Sequence, residues 1–175
     1  MSLELINLDD ETRRFMLEEL DLDLKNKTRY VGKRLREKQV DKYFELLRSA
    51  IKQYDDEWLE TQIGKFNLLN ETELRAGKPV KVPVTAAQTL AEGEFNRYYI
   101  RGLSLRAIDE GIDRLTIYRA KEVRRSRSDS EDLEGTDESP EVLLENARII
   151  PGTEEAVGLP HGPNSGLSVK LPDSE

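Results

Sequence analysis

The stretch TAAQTLAEGEFNRYYIRGLSLRAIDEG, residues 85–111, constrains the fold more than any other part of this 175-residue chain. Its apolar positions run Ala87, Ala91, Phe95, Tyr98, Gly102, Leu105 and Ile108, a spacing of three and four kept from end to end. That period is one stripe of an α-helix. About 25 residues at about 1.5 Å each give a rod of about 35 Å. Thr85 is the expected N-cap, and Gly111 supplies the left-handed residue that ends such a helix. KPVKVPV before it alternates Val80, Val82 and Val84, with Pro83 marking an edge or an end, and LTIYRAKEV after it is rich in β-branched and aromatic residues. Strand, long helix, strand is the order of a right-handed crossover, so the expectation is two parallel neighbouring strands with the helix packed across them.

The N-terminal third reads as helical. In LDDETRRFMLEELDLDLK, Asp9 or Asp10 caps a helix whose Met16, Leu20 and Leu24 recur at i+4. Val31 and Leu35 resume the pattern, and after a polar interruption it continues through Val40, Tyr43, Phe44, Leu47, Ala50, Ile51 and Tyr54. The phase shift predicts two short helices or one bent helix, followed by a further short helix around 55–65. NLLNETELRAG, residues 67–77, reads as a connection. RRSRSDSEDLEGTDESPE has no period and is expected to be a mobile loop. Ser139 and Pro140 then open a late helix, and Leu167, Val169 and Leu171 alternate as a candidate third strand within a Gly/Pro-rich tail. The fold class is α+β: a helical unit of three or four helices over 1–66, a small β-α-β element with an acidic loop and a late helix over 67–150, and a tail over 151–175 carrying the candidate edge strand.

Residue types exclude much chemistry. Without cysteine there are no disulfides, thiolate nucleophiles or cysteine-ligated metals. His161 is the single histidine, beside Asn164 and Ser165 in GLPHGPNSG, but no nucleophile elbow surrounds Ser165. The acid pairs Asp9/Asp10 and Asp55/Asp56 sit where helix first turns belong, so capping accounts for them without metal. Phosphate-cradling glycine motifs are absent. No cofactor or metal site is expected, and with no long apolar run and an acidic start the expected setting is cytoplasmic, away from membranes.

The net charge of −8 hides segregation along the chain. Residues 1–24 hold eight acids against Arg13 and Arg14, residues 25–52 ten Lys/Arg against three acids, residues 93–127 nine basic against five acidic side chains, and residues 129–145 eight acids with no base. On the long helix, Glu92, Asn96, Tyr99 and Arg106 share one side, the candidate partner-binding row, whose Glu92, Asn96 and Tyr99 form a polar network that either locks the sheet against the helical unit or faces a ligand. Glu94, Arg97 and Arg101 form a second row, an ordinary salt-bridge ladder. Arg97, Arg101, Arg119, Lys121, Arg124, Arg125 and Arg127 are the candidate nucleic-acid contacts, with arginine forks for phosphate and tyrosines to stack on bases. The acidic block after Asp129 can fold back onto that positive charge. The leading expectation is a non-enzymatic interaction or assembly protein that binds another protein or itself through the 86–108 helix and the amphipathic N-terminal helices. Nucleic-acid binding through 25–52 and 97–127 is the alternative. An acid/base or metal-assisted enzyme centred on residues 92–101 is the third.

Overall fold

The computed structural model describes residues 2–122, 128–149 and 166–173. It is α+β, as expected. Helix α1 (Asp10–Asn26) starts where the Asp9 carboxylate accepts the Thr12 amide at 2.9 Å, and ends at Lys27 in the left-handed region, φ 57°. Residues 27–36 run as a loop, so Val31 and Leu35 belong to no helix. A single 3-10 turn over Glu37–Gln39 then leads into α2 (Val40–Gln53). Helix α3 (Asp56–Lys65) is capped by Asp55, which accepts the Trp58 amide at 2.8 Å. These helices bury Met16, Leu20, Tyr43, Leu47, Ile51, Leu59 and Ile63 in one contiguous core with α4 (Ala86–Asp109).

The strands correct the expected crossover. Strand β1 (Thr72–Arg75) lies inside the stretch read as a connection, and it pairs antiparallel with β2 (Lys78–Lys81), Arg75 opposite Lys78. Ala76 and Gly77 make the two-residue turn, both with positive φ, the geometry that matches strand twist in a tight hairpin. Val84 lies beyond the strand and is fully exposed. Strand β3 (Leu115–Arg119) is bordered on one edge by β4 (Asp137–Glu138) and on the other by β5 (Leu167–Lys170), both antiparallel. With β2 bonded to β1 and both edges of β3 taken, no parallel pair is left to form. The alternation of Leu167 and Val169 does produce the third strand, and both side chains are buried.

The acidic stretch carries more order than its composition suggests. Helix α5 (Ser128–Leu133) and β4 occupy it, and Leu133 packs on the core. Helix α6 (Pro140–Arg148) opens as predicted, Ser139 accepting the Val142 amide at 3.2 Å, and buries Leu143, Leu144 and Ala147. Thr85 makes no capping bond, because its backbone sits at ψ 1° instead of extended. No helix among the described residues is long and apolar enough to cross a membrane.

Candidate functional site

Helix α4 is enclosed by α1, α3, α6 and β5, so both polar rows of its sequence point into protein. The packing seam is as tight as backbone allows. A Cβ on Gly102 would lie 2.5 Å from Met16 Cγ and 2.8 Å from the Met16 amide nitrogen. Only glycine lets α1 and α4 approach this closely.

The second row is the opposite of a solvated ladder. Arg101 has no exposed surface, and its partners lie on α1, not on its own helix. Its Nε donates to Glu19 at 2.7 Å, and Nη1 and Nη2 donate to the two Asp23 oxygens at 2.6 and 3.1 Å. Tyr98 donates its hydroxyl to Asp23 at 2.7 Å, and Thr28 adds a bond at 2.8 Å. Arg97 holds Glu94 as a fork at 2.9 and 3.0 Å and reaches the Ala147 carbonyl of α6 at 3.2 Å. Arg148 completes the set on Glu19 at 2.6 Å. Three buried carboxylates are thus neutralised by two buried guanidiniums and, at the edge of the core, by the partly exposed Arg148. Burial pushes the Glu19 and Asp23 carboxyls up, but the bonds from Arg148 and Arg101 outweigh it and hold both below the ordinary range.

The first row clamps the sheet. Glu92 is held by the Lys121 ammonium and by Gln88 Nε2 at 2.8 Å. Asn96 donates to the Leu167 carbonyl at 2.8 Å and accepts from Ser168 Oγ at 2.7 Å, fixing β5 along the helix. The Tyr99 hydroxyl accepts the Asn7 amide at 3.1 Å, and burial raises its phenol far above the usual value. Asn7 Oδ1 in turn accepts the Leu171 amide at 2.8 Å. Arg106 pairs with Asp9 at 2.7 Å and Glu110 at 2.8 Å. Each group of the row is spoken for within the chain. Among the described residues no three His, Cys, Asp or Glu side chains are grouped to hold a metal ion.

The expected nucleic-acid contacts are therefore dispersed. Arg97 and Arg101 are buried in ion pairs, a correction forced by their phase toward α1 and α6. Arg119 pairs with Glu134 at 2.9 Å, so the acidic block does fold back onto β3, and Lys121 is committed to Glu92. Arg124, Arg125 and Arg127, like His161, Asn164 and Ser165, lie outside the described residues. Segment 25–52 behaves differently. Arg34 is forked onto Glu73 of the hairpin at 2.7 and 3.0 Å, and Glu73 with two arginines has its carboxyl depressed to about 2. Lys25, Lys27, Lys33 and Lys38 are exposed, with no ion pair among the described residues. A cleft of about 490 Å³ lined by Leu24, Lys27, Arg29 and Val31 opens in this region, away from the α4 rows.

Sequence reasoning missed the hairpin as a surface and missed Glu19 and Asp23 as partners of Arg101. The available signal was their i, i+4 spacing beside Met16 and Leu20, which puts two acids against an apolar stripe. No family model matches the chain, and neither the curated proteins nor the solved structures contain a match.

Proposed function

We propose that the chain is a non-enzymatic binding module that meets its partner through the basic loop 25–38 and the adjoining β1–β2 hairpin. The observation that carries this reading is the contrast between committed and uncommitted charge. Arg97, Arg101, Lys121 and Arg106 each have an acid within the fold, whereas Lys25, Lys27, Lys33 and Lys38 are exposed without one among the described residues. Residues 25–38 hold seven Lys/Arg against Glu37 alone. The hairpin is joined to this loop by the Arg34–Glu73 pair and a bridge between Leu35 and Leu69, and it exposes Leu74 at 77 %. An apolar tip beside a positive loop suits an acidic protein surface. Labelled polyglutamate at low salt is the direct probe. Its fluorescence anisotropy is expected to rise with protein concentration, and Lys33→Glu with Lys38→Glu is expected to weaken binding at least severalfold. No change in anisotropy with the wild-type protein at low salt would sink the reading.

A second reading, nucleic-acid binding, is favoured by one feature of the same region. Phe66 is 41 % exposed, and Lys42 and Lys65 stand over its ring at 4.9 and 5.7 Å. An exposed aromatic between cations is a stacking platform for an unpaired base. Binding of a labelled single strand should then weaken as salt rises, and Phe66→Ala should lower affinity more than it changes the salt slope.

A further inference from the structure

We propose that two copies of this chain associate head to tail, the basic end of one docking on the acidic end of the next; this rests on the binding-module reading above and names its partner. The charges are sorted along α4 by how α1 lies against it. Arg106 meets Asp9, Gly102 meets Met16, and Arg101 and Tyr98 meet Asp23, so the two helices run antiparallel. The acidic start of α1 therefore sits at the C-terminal end of α4. Asp9, Asp10 and Glu11 join Asp109, Glu110 and Asp113 there. Of the cations at that end, Arg106 is held by Asp9 and Glu110, Arg14 by Glu11 and Glu18, and Arg13 by the Ala50 and Ile51 carbonyls. Asp10, Asp109 and Asp113 stay exposed, with no ion pair among the described residues.

The other end of the rod is the reverse. Gly32 packs on Leu90, which brings the basic loop after α1 to the N-terminal part of α4. The hairpin arrives at the same end, since only four residues lie between Val80 and Thr85 at the start of the helix. Arg75, Lys78 and Lys81 outnumber Glu71 and Glu73 there. Leu90, where the basic loop packs, precedes Asp109 on α4 by 19 residues, about 28 Å at about 1.5 Å each.

A second copy fits this distribution better than a polyanion does. Nucleic acid would complement one end and be repelled by the other and by the net charge of −8. A copy of the chain complements both ends at once. Exposed ion pairs are individually weak, and the field between them shortens from about 30 Å at 0.01 M salt to about 10 Å at 0.1 M. The contact is expected to be weak, formed by several pairs together, and lost with modest salt.

Sedimentation velocity over a range of concentrations tests it. The wild-type chain is expected to show a weight-average mass that climbs above the monomer at low salt and returns to it at moderate salt. Two exposed charge reversals separate the ends. Lys33→Glu/Lys38→Glu cuts the positive charge of the basic end and spares the acidic one, and Asp109→Lys/Asp113→Lys cancels the exposed acids and spares the basic end. Each variant alone is expected to stay monomeric, and an equimolar mixture to associate. Circular dichroism establishes that both are folded. A monomeric wild type at high concentration and low salt overturns the inference, as does a mixture that fails to associate. If the wild type stays monomeric but binds an oligonucleotide that Lys33→Glu/Lys38→Glu does not, the basic end belongs to nucleic acid, and the binding-module reading survives alone. If it neither associates nor binds polyglutamate or oligonucleotide, both fall.

Discussion

Arg101 is the residue on which the helical layer turns, because its planar fork satisfies Glu19 and Asp23 together while excluded from water. Replacing it by Met leaves Glu19 with Arg148 and Asp23 with only Arg97 at 4.0 Å, and the expected loss is about 3–5 kcal/mol in urea unfolding. Lys would keep the charge but not the fork, so it should rescue little. The acids carry a pH signature. Because both folded carboxyls are held below their ordinary values, their stabilisation is complete above about pH 5 and is lost as pH falls through the depressed range. Urea midpoints measured between pH 7 and pH 3 should fall steeply at the acid end, and less so in Glu19→Gln/Asp23→Asn, whose starting stability is lower. Gly102→Ala pushes a methyl into Met16 and should cost about 1–3 kcal/mol or more, read as a lowered melting temperature. Tyr43 runs the other way. Its hydroxyl is buried without a hydrogen-bond partner, so Tyr43→Phe should be neutral or stabilise by up to about 1 kcal/mol. A clear loss on that change would mean that the hydroxyl is satisfied in solution.

At the scale of elements, β5 is the most telling. It reaches β3 late in the chain and is held to α4 by Asn96 through two bonds. Asn96→Leu should leave the helix intact but speed amide exchange along the β3–β5 ladder, measured by hydrogen exchange; unchanged protection would show that Leu167 and Val169 hold the strand unaided. The same elements show what could be read beforehand. The long helix was legible because three-and-four spacing persists over its whole length, and β5 because alternation survives even in a Gly/Pro-rich setting. The hairpin was not, since TELR offers one apolar residue and its turn places Ala76, not Asn or Gly, at positive φ. The parallel crossover failed for a related reason: strand, helix, strand is equally the order of a hairpin strand and a meander strand flanking a helix. Helical phase separates the two polar rows correctly, and the first does lock the sheet, but the second, read as an ordinary ladder, is buried against α1 and α6. Spacing tells which side chains align; it does not tell what lies opposite, and Glu94–Arg97 looks identical on a wet face and inside a core.

Across the whole molecule, exposed lysines lie on the loop that packs at Leu90 and exposed aspartates at the C-terminal end of α4, while the interior pairs cancel. Ionic strength should then act on association more than on folding, since the buried pairs are shielded from salt and the end charges are not. Melting temperatures between low and moderate salt are expected to move by only a few degrees while sedimentation changes. A large loss of stability at moderate salt would mean that surface pairs carry the fold. The antiparallel seam also has a consequence for the route to the native state. Arg101 meets acids 78 and 82 positions earlier in the chain, and Arg106 meets one 97 positions earlier. Neither helix can complete its interior locally, so a large loop must close before the charges are neutralised. Such high sequence separation slows two-state folding relative to a simple helical bundle. Opposite charge on the two partners also draws them together before water is expelled, so refolding should be fastest at low ionic strength even though the finished core is indifferent to it.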